Sequence, residues 1–208
     1  MAAKINISDL KFDTYSDKSI KSFTEKLADS GSTLEVGSTA AAVCAMSAAL
    51  AIRALKKSGL DTPEAQKAVD SIERMRGYFV VLTDEEIKAV DPLRKRMAAG
   101  AGDAEIEAGY RTACTIIGEM MYSIIDVMEK LSRFAPELCP CAAADALSAV
   151  FLARAGLDSI RVKLAYYATK LNEAVYARTT RREPEIAIAD SAPLLDGMVK
   201  TLEAKLAL

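Results

Sequence analysis

Apolar residues recur every three or four positions along most of this chain. Ile20, Phe23 and Leu27 form one such stripe, and Ile106 and Tyr110 belong to another. This spacing places the apolar side chains on one face of a helix. No stretch alternates apolar and polar residues for long enough to predict a strand. The sequence therefore predicts an all-α fold.

Residues that favour helix ends divide the chain into predicted helices. Ser38, Thr62 and Asp103 are of types that cap helix N-termini, and Pro63 suits a first helical turn. The predicted helices cover residues 19–28, 39–55, 64–97, 103–134 and 141–178, and a final helix follows a link at 181–184. Several reach about 30 residues, whereas the mean globular helix has about 11–12. We therefore expect an elongated antiparallel bundle of five to seven helices, with residues 1–208 in a single domain.

Small residues dominate two of the predicted helices, at residues 39–51 and 141–156. Alanine-rich faces let helix backbones approach closely, but they bury little apolar area per residue. A bundle built in this way can recover buried area by pairing with a second copy. We therefore expect a homodimer.

The composition limits the class of partner. Hydrophobic residues make up 51% of the chain, and 27 basic and 29 acidic residues give a formal net charge of −2. The charges are interspersed, so no basic stripe is available for nucleic acid or a membrane surface. The alanine-rich run at residues 39–52 is about 14 residues long, too short to span a bilayer. We expect neither a nucleic acid nor a membrane as partner.

Histidine is absent from the sequence. This excludes catalytic triads that contain histidine, zinc sites with histidine ligands, and histidine as a general base. Any catalysis must therefore depend on carboxylates, Lys, Arg, Tyr, Ser, Thr or Cys.

The four cysteines divide into two kinds. Cys44 and Cys114 lie in apolar helical segments, where a buried thiol is expected. Cys139 and Cys141 flank a proline, a spacing that raises the question of a metal or redox role. Without histidine or a second cysteine pair we expect no metal site. The segment Met1–Asn6 has no apolar signal sequence, so we expect a reducing, cytoplasmic location.

Three stretches carry a family resemblance. Residues 27–41, LADSGSTLEVGSTAA, are similar to a loop L-A-x-x-x-P-T-P-G-G-G-S-x-A-A. Residues 82–90, LTDEEIKAV, are similar to L-I-D-x-D-A-x-A-F. Residues 139–146, CPCAAADA, and 159–163, SIRVK, are similar to N-P-N-x-x-S-D-A and N-V-R-I-N. Together, over roughly residues 18–175, the chain resembles the methenyltetrahydrofolate cyclohydrolase and formimidoyltetrahydrofolate cyclodeaminase family.

The resemblance implies an all-helical dimer that acts on reduced folates without a metal or cofactor. Its members hydrate 5,10-methenyltetrahydrofolate to the 10-formyl form, or expel ammonia from 5-formiminotetrahydrofolate. Hydrolysis of methenyltetrahydrofolate is our leading hypothesis. The alternatives are the cyclodeaminase reaction, a catalytically degraded member that serves as a folate-binding or structural dimer, and a bundle whose resemblance is accidental.

Hydrolysis of the methenyl bridge brings water to a cationic amidinium carbon and a proton to the departing ring nitrogen. A carboxylate can stabilise the cation and act as base. Asp145 is the one acidic residue in an alanine-rich stretch, so it is the predicted catalytic residue. The alternative is that Asp145 caps the helix that begins after Cys141.

The loop before Ser38 is the second candidate. A glycine-containing turn that leads into a helix presents backbone N–H groups and the positive end of the helix dipole to an anion. Gly37 and Ser38 match the family loop and are predicted to contact the substrate. Residues 34–36, Leu-Glu-Val, stand where the family has Pro-Gly-Gly. The alternative is that Ser38 is an ordinary N-cap.

Four further residues are predicted substrate contacts by their place in the motifs: Glu86, Ser159, Arg161 and Lys163. Lys163 stands where the family has Asn. It could meet a folate carboxylate or lie in solvent, and Arg161 could instead form a structural ion pair. Asp145 and Ser159 would lie about 21 Å apart along one helix. An elongated folate, or a site shared across a dimer, could engage both.

Overall fold

The computed structural model describes residues 14–207, which form six α-helices. They are α1 (Ile20–Ala28), α2 (Val36–Lys57), α3 (Pro63–Ala98), α4 (Asp103–Ser132), α5 (Pro140–Ala168) and α6 (Ala174–Leu206). Residues 14–207 contain no strand, so the all-α prediction is confirmed. The predicted number and length of the helices are also confirmed. The segment Met1–Asn6 lies outside the described residues.

Short connections make neighbouring helices antiparallel. α2 and α5 share the most extensive contact and lie at the centre, where α3 packs on α2 and α6 packs on α5. The start of α2 lies beside the end of α5, because Glu35 pairs with Lys163. The end of α2 lies beside the start of α5, because Lys57 pairs with Asp145. The two ends of this central pair carry the predicted site residues.

The helix starts agree with the sequence in part. Thr62 caps α3 through its side chain, at 3.1 Å. α2 begins two residues before Ser38, so the alternative of Ser38 as N-cap is wrong, and Glu35 takes that position. Asp103 lies in the first turn of α4 rather than at its cap, which is Gly102. An α-helix extends toward its N-terminus as long as its free N–H groups find partners, so residue type alone does not locate its start.

The link before the last helix lies at residues 169–173, so the prediction of a link at 181–184 is wrong. The side chain of Glu173 caps α6 by accepting from two N–H groups of its first turn. Glutamate is not among the preferred N-cap residues, so the sequence carries no recognisable start signal there. Pro184 and Pro193 lie inside α6, although each proline removes one backbone donor from the helix.

The α2–α5 contact depends on small residues. A Cβ atom at Gly156 would lie 2.7 Å from Sγ of Cys44, which is completely buried. Ser47 donates a hydrogen bond of 2.7 Å across the interface to the carbonyl of Ala149. The alanine-rich segments therefore bring the two backbones close together, as the sequence indicated.

Within residues 14–207, α2 and α5 are long and apolar enough to cross a bilayer by length and composition alone. α2 has 22 residues and is longer than the run at 39–52 from which the sequence prediction was made. About half of each apolar segment, 56% and 50%, is buried inside the bundle. Helices at the centre of a helical bundle are also long and apolar, so they meet the same criterion without crossing a membrane.

Two glycine substitutions test the close packing of α2 against α5. Gly156→Ala should lower the free energy of unfolding by about 1–3 kcal/mol, because the new methyl group overlaps Cys44. Gly118→Ala is the control, since Gly118 lies inside α4 with open space around its Cβ position. That change should raise stability by up to about 1 kcal/mol. Urea unfolding measures both, and equal effects of the two substitutions would contradict the packing.

Candidate functional site

A buried carboxylate joins three helices near the start of α2. Glu86 extends from α3 and is only 1% exposed. One of its oxygens, Oε2, accepts a hydrogen bond of 2.8 Å from the backbone N–H of Ser38. The other, Oε1, accepts one of 2.8 Å from the Tyr167 hydroxyl and lies 3.3 Å from Nζ of Lys163. We call these four residues the Glu86 cluster.

Glu86 serves as the cap that α2 lacks. Glu35 occupies the N-cap position without a side-chain hydrogen bond to the helix. The first N–H groups of a helix carry partial positive charge, so a carboxylate is stabilised there. A Cβ atom at Gly37 would overlap the Glu86 carboxylate, which explains the glycine at this position. The anion site expected before Ser38 is therefore filled by the protein's own carboxylate.

Lys163 lies in the interior, 4% exposed, so the alternative of a solvated lysine is wrong. Its ammonium group pairs with both Glu86 and Glu35. On the outer side of Glu35 lies the half-exposed guanidinium group of Arg94. The charges alternate from Arg94 through Glu35 and Lys163 to Glu86, and they sum to zero. A balanced row of this kind reduces the cost of burying Lys163 and Glu86.

Tyr167 completes the cluster and was not among the predicted residues. Burial and the neighbouring Glu86 charge raise the pKa of its hydroxyl, so it remains a donor. Nζ of Lys163 lies 4.6 Å from the centre of the Tyr167 ring, within the range of a cation–π contact. Tyr167 follows Lys163 by four positions, a spacing that places both on one helix face. That spacing was the signal in the sequence.

The segment before the loop is held by a second buried carboxylate. Asp84 accepts hydrogen bonds of 2.6 Å from the backbone N–H of Tyr15 and from the hydroxyl of Ser16. Leu34 packs beside it with Tyr15 and Ile87 in a small separate core. Leu34 therefore has a structural role in closing the loop against α3.

Asp145 lies at the opposite end of α2 from Ser38. Its Oδ2 lies 3.3 Å from Nε of Arg53 and 3.4 Å from Nζ of Lys57, and its side chain is 16% exposed. The N-cap of α5 is Cys139, so the alternative of Asp145 as the cap is wrong. Arg53 follows Ser38 by 15 positions on α2, which corresponds to about 22 Å. A single chain does not bring Asp145 and Ser38 together.

Ser159 and Arg161 lie on α5 between these two regions. The Ser159 hydroxyl donates to the carbonyl of Ala155 at 2.8 Å, a contact within the helix. Arg161 lies 3.4 Å from the carboxylate of Asp158, and both side chains are largely exposed. This is the structural ion pair that the sequence left open for Arg161.

The hydroxyl of Ser38 is completely buried and has no hydrogen-bond partner within residues 14–207. Buried hydroxyl groups are normally paired. The unpaired Ser38 hydroxyl therefore marks a place where a water molecule or a ligand atom is expected. The same part of the chain contains no group of three or more acidic or cysteine side chains that could hold a metal ion.

A model of the formiminotransferase-cyclodeaminase family matches residues 19–185, most of the chain. The chain belongs to this family. The family resemblance seen in the sequence motifs is thereby confirmed. The fold is similar to the crystal structure of formiminotetrahydrofolate cyclodeaminase from Thermotoga maritima, with a TM-score of 0.76 and 19% sequence identity. The match covers 92% of this chain and 96% of that chain, and no curated protein matches this sequence.

Two departures from the formiminotransferase-cyclodeaminase motifs contact each other. Glu35 stands where the family loop has Gly, and Lys163 stands where the family motif has Asn. Their side chains form an ion pair across α2 and α5. The two replacements therefore act together, and they fill the loop with charges that neutralise each other.

Alanine substitutions of two neighbouring glutamates on α3 test how much the Glu86 cluster contributes to stability. Glu86→Ala should lower the free energy of unfolding by about 3–5 kcal/mol, because it removes one partner of a buried ion pair. It also leaves the Ser38 N–H without an acceptor. Glu85→Ala is the control, since Glu85 forms a surface pair with Lys88 and should cost about 0–1 kcal/mol. Urea unfolding measures the difference, and similar losses would contradict a central role for Glu86.

Proposed function

We propose that this chain hydrolyses 5,10-methenyltetrahydrofolate to 10-formyltetrahydrofolate, with the cyclodeaminase reaction as the alternative within the same family. Membership of the formiminotransferase-cyclodeaminase family supports a folate substrate. The observation on which the proposal rests is the Asp145 carboxylate, which is partly exposed and lies between two basic side chains.

Asp145 has the properties that the reaction needs. Its carboxylate can stabilise the cationic amidinium group and accept a proton from the attacking water. The water oxygen bonds to the methenyl carbon, and the bond from that carbon to N5 breaks as the hydroxyl becomes the formyl carbonyl. One proton of the water ends on N5, and the other is released to solvent. Arg53 and Lys57 beside Asp145 are exposed, and their ion pairs with Asp145 hold the carboxylate in a fixed position.

The residues at the other end of α2 would bind the substrate rather than react with it. Gly37, Ser38, Glu86 and Lys163 lie together there, and the buried Ser38 hydroxyl has no hydrogen-bond partner within residues 14–207. Ser159 lies along α5 between this region and Asp145. An elongated folate that lay along α2 and α5 would approach both ends.

We also propose that the chain is a homodimer that pairs through the outer face of α2 and α5. α2 carries no charged side chain between Glu35 and Arg53. The exposed large apolar side chains of these two helices are Val36, Met46, Phe151, Val162 and Tyr166. Exposed large apolar side chains are typical of a contact between subunits.

A two-fold axis through this face would bring together two candidate regions that lie far apart in one chain, the Ser38 end and the Asp145 end of α2. If the helices of two copies cross antiparallel, the Glu35 end of one copy lies over the Asp145 end of the other. Ser38 and Lys163 of one chain would then share a substrate with Asp145 of the second copy. This arrangement supports a site that a single chain leaves incomplete.

The second candidate is a non-catalytic folate-binding or structural dimer. The Glu35–Lys163 ion pair favours it, because these charges fill the loop that the family leaves open with glycine. On this hypothesis the family fold is kept, whereas the loop no longer admits the reacting group.

The substitution Asp145→Asn distinguishes an enzyme that hydrolyses methenyltetrahydrofolate from a non-catalytic dimer. The purified protein should decrease the absorbance of methenyltetrahydrofolate, and Asp145→Asn should reduce the rate by about 10²–10⁴-fold through loss of the base. Asp158→Asn is the control, since Asp158 lies exposed on the same helix and pairs only with Arg161 in the described chain. It should keep the wild-type rate.

Three results would change the proposal. Folate binding by calorimetry without turnover selects the non-catalytic dimer. Turnover of formiminotetrahydrofolate but not of the methenyl form selects the cyclodeaminase. Full activity of Asp145→Asn rejects Asp145 as the base.

Charged substitutions test the homodimer. Phe151→Glu places a charge on the α2–α5 face and should convert the dimer to a monomer in light scattering, because a buried unpaired charge is costly. Ile186→Glu is the control, since Ile186 on α6 is equally exposed, 48% against 49% for Phe151. It should leave the dimer intact. A wild-type monomer would reject the proposed interface.

A further inference from the structure

Cys139 and Cys141 form a pair at the start of α5 that the proposed function does not use. Their sulfur atoms are joined as a disulfide, and their Cα atoms lie 5.3 Å apart. Cys139 is the N-cap of the helix, Pro140 is its first residue and Cys141 its second. The family motif has Asn at both cysteine positions, so the pair is a feature of this chain.

This disulfide closes a very short loop. Cross-links stabilise a fold mainly by restricting the unfolded chain, and the effect grows with the number of residues in the loop. A pair separated by two positions restricts little of the chain. The helix start is already fixed by other contacts, since the backbone N–H of Cys139 donates to the Ser58 hydroxyl at 3.1 Å. Stabilisation of the fold therefore does not explain the pair.

The surroundings favour thiolate chemistry. Both cysteines lie at a helix N-terminus, where free N–H groups and the helix dipole stabilise a negative sulfur. The Ser58 hydroxyl lies 3.8 Å from Sγ of Cys139 and can also donate to a thiolate there. Cys141 is exposed and Cys139 is partly exposed, so a small reagent can reach the pair.

The other two cysteines are expected to be unreactive. Cys44 and Cys114 are buried, and burial raises the pKa of their thiols to about 12 and about 11. At neutral pH both remain protonated and shielded from solvent. Any thiol exchange in the folded protein is therefore confined to Cys139 and Cys141.

We propose that Cys139 and Cys141 form a reversible dithiol–disulfide site that exchanges with small-molecule disulfides of the glutathione class. The exposed Cys141 thiolate attacks one sulfur of the small disulfide, that S–S bond breaks, and one small thiol leaves. The Cys139 thiolate then attacks Sγ of Cys141, the protein disulfide forms, and a second small thiol leaves. The protein loses two electrons and two protons, and the small disulfide gains both.

The stoichiometry provides the test. Two small thiols are released for each protein disulfide that forms. The ratio of oxidised to reduced protein is therefore proportional to the concentration of the small disulfide divided by the square of the concentration of the small thiol. The full-length protein is equilibrated in glutathione buffers, acid-quenched and alkylated, and its mass is measured. The buffer is then diluted tenfold at a constant ratio of glutathione disulfide to glutathione. This dilution should raise the ratio of oxidised to reduced protein about tenfold.

Single variants give the matched control. Cys139→Ser and Cys141→Ser can form only a mixed disulfide with glutathione, whose occupancy depends on the simple ratio and should not change on dilution. Cys114→Ala should retain the wild-type dilution effect. Peptide mapping should find alkylation of the reduced native protein only at Cys139 and Cys141.

Three results would overturn the inference. One is a dithiol that stays reduced, or a disulfide that stays intact, at every glutathione ratio. Another is a Cys139→Ser/Cys141→Ser variant that melts more than about 5 °C below the wild type, which would indicate a structural cross-link. The third is protection of both thiols from alkylation by zinc alone, which would indicate a metal site instead.

Discussion

The Glu86 carboxylate at the N-terminus of α2 is the interaction on which the arrangement of the central helices depends. It satisfies the Ser38 N–H of α2 and accepts from Tyr167 of α5, while it extends from α3. Burying this charge would be costly alone, but Lys163 neutralises it. The glycine at position 37 exists because the carboxylate occupies the space that a side chain would need. One charge thus sets the relative position of three helices.

The close approach of α2 and α5 explains why this bundle exposes an apolar face. Gly156 and the alanines of both helices let the backbones meet, but they bury little area per residue. The larger apolar side chains, such as Met46 and Phe151, remain half exposed on the outer side. On α2, the charged groups lie at the two ends, at Glu35 and at Arg53 and Lys57.

The altered loop fits within the fold of the formiminotransferase-cyclodeaminase family. Leu34 packs into a small core, and Glu35 pairs with Lys163 and Arg94. These two replacements of family residues are therefore accommodated by contacts within this chain. At the other end of α2, the Asp145 carboxylate pairs with Arg53 and Lys57 and is partly exposed.

The sequence by itself determined the all-α fold, most helix ranges and the family, because helical periodicity and motif order are local properties. It also selected Glu86 and Lys163 as candidates, and the structure brings these two residues together in one buried cluster. Only the tertiary structure decided that Lys163 is buried, since its two partners come from distant segments. It likewise decided that Asp145 pairs with Arg53 and not with the Ser38 region. Which charges meet depends on how helices pack, and packing brings together residues that no local pattern connects.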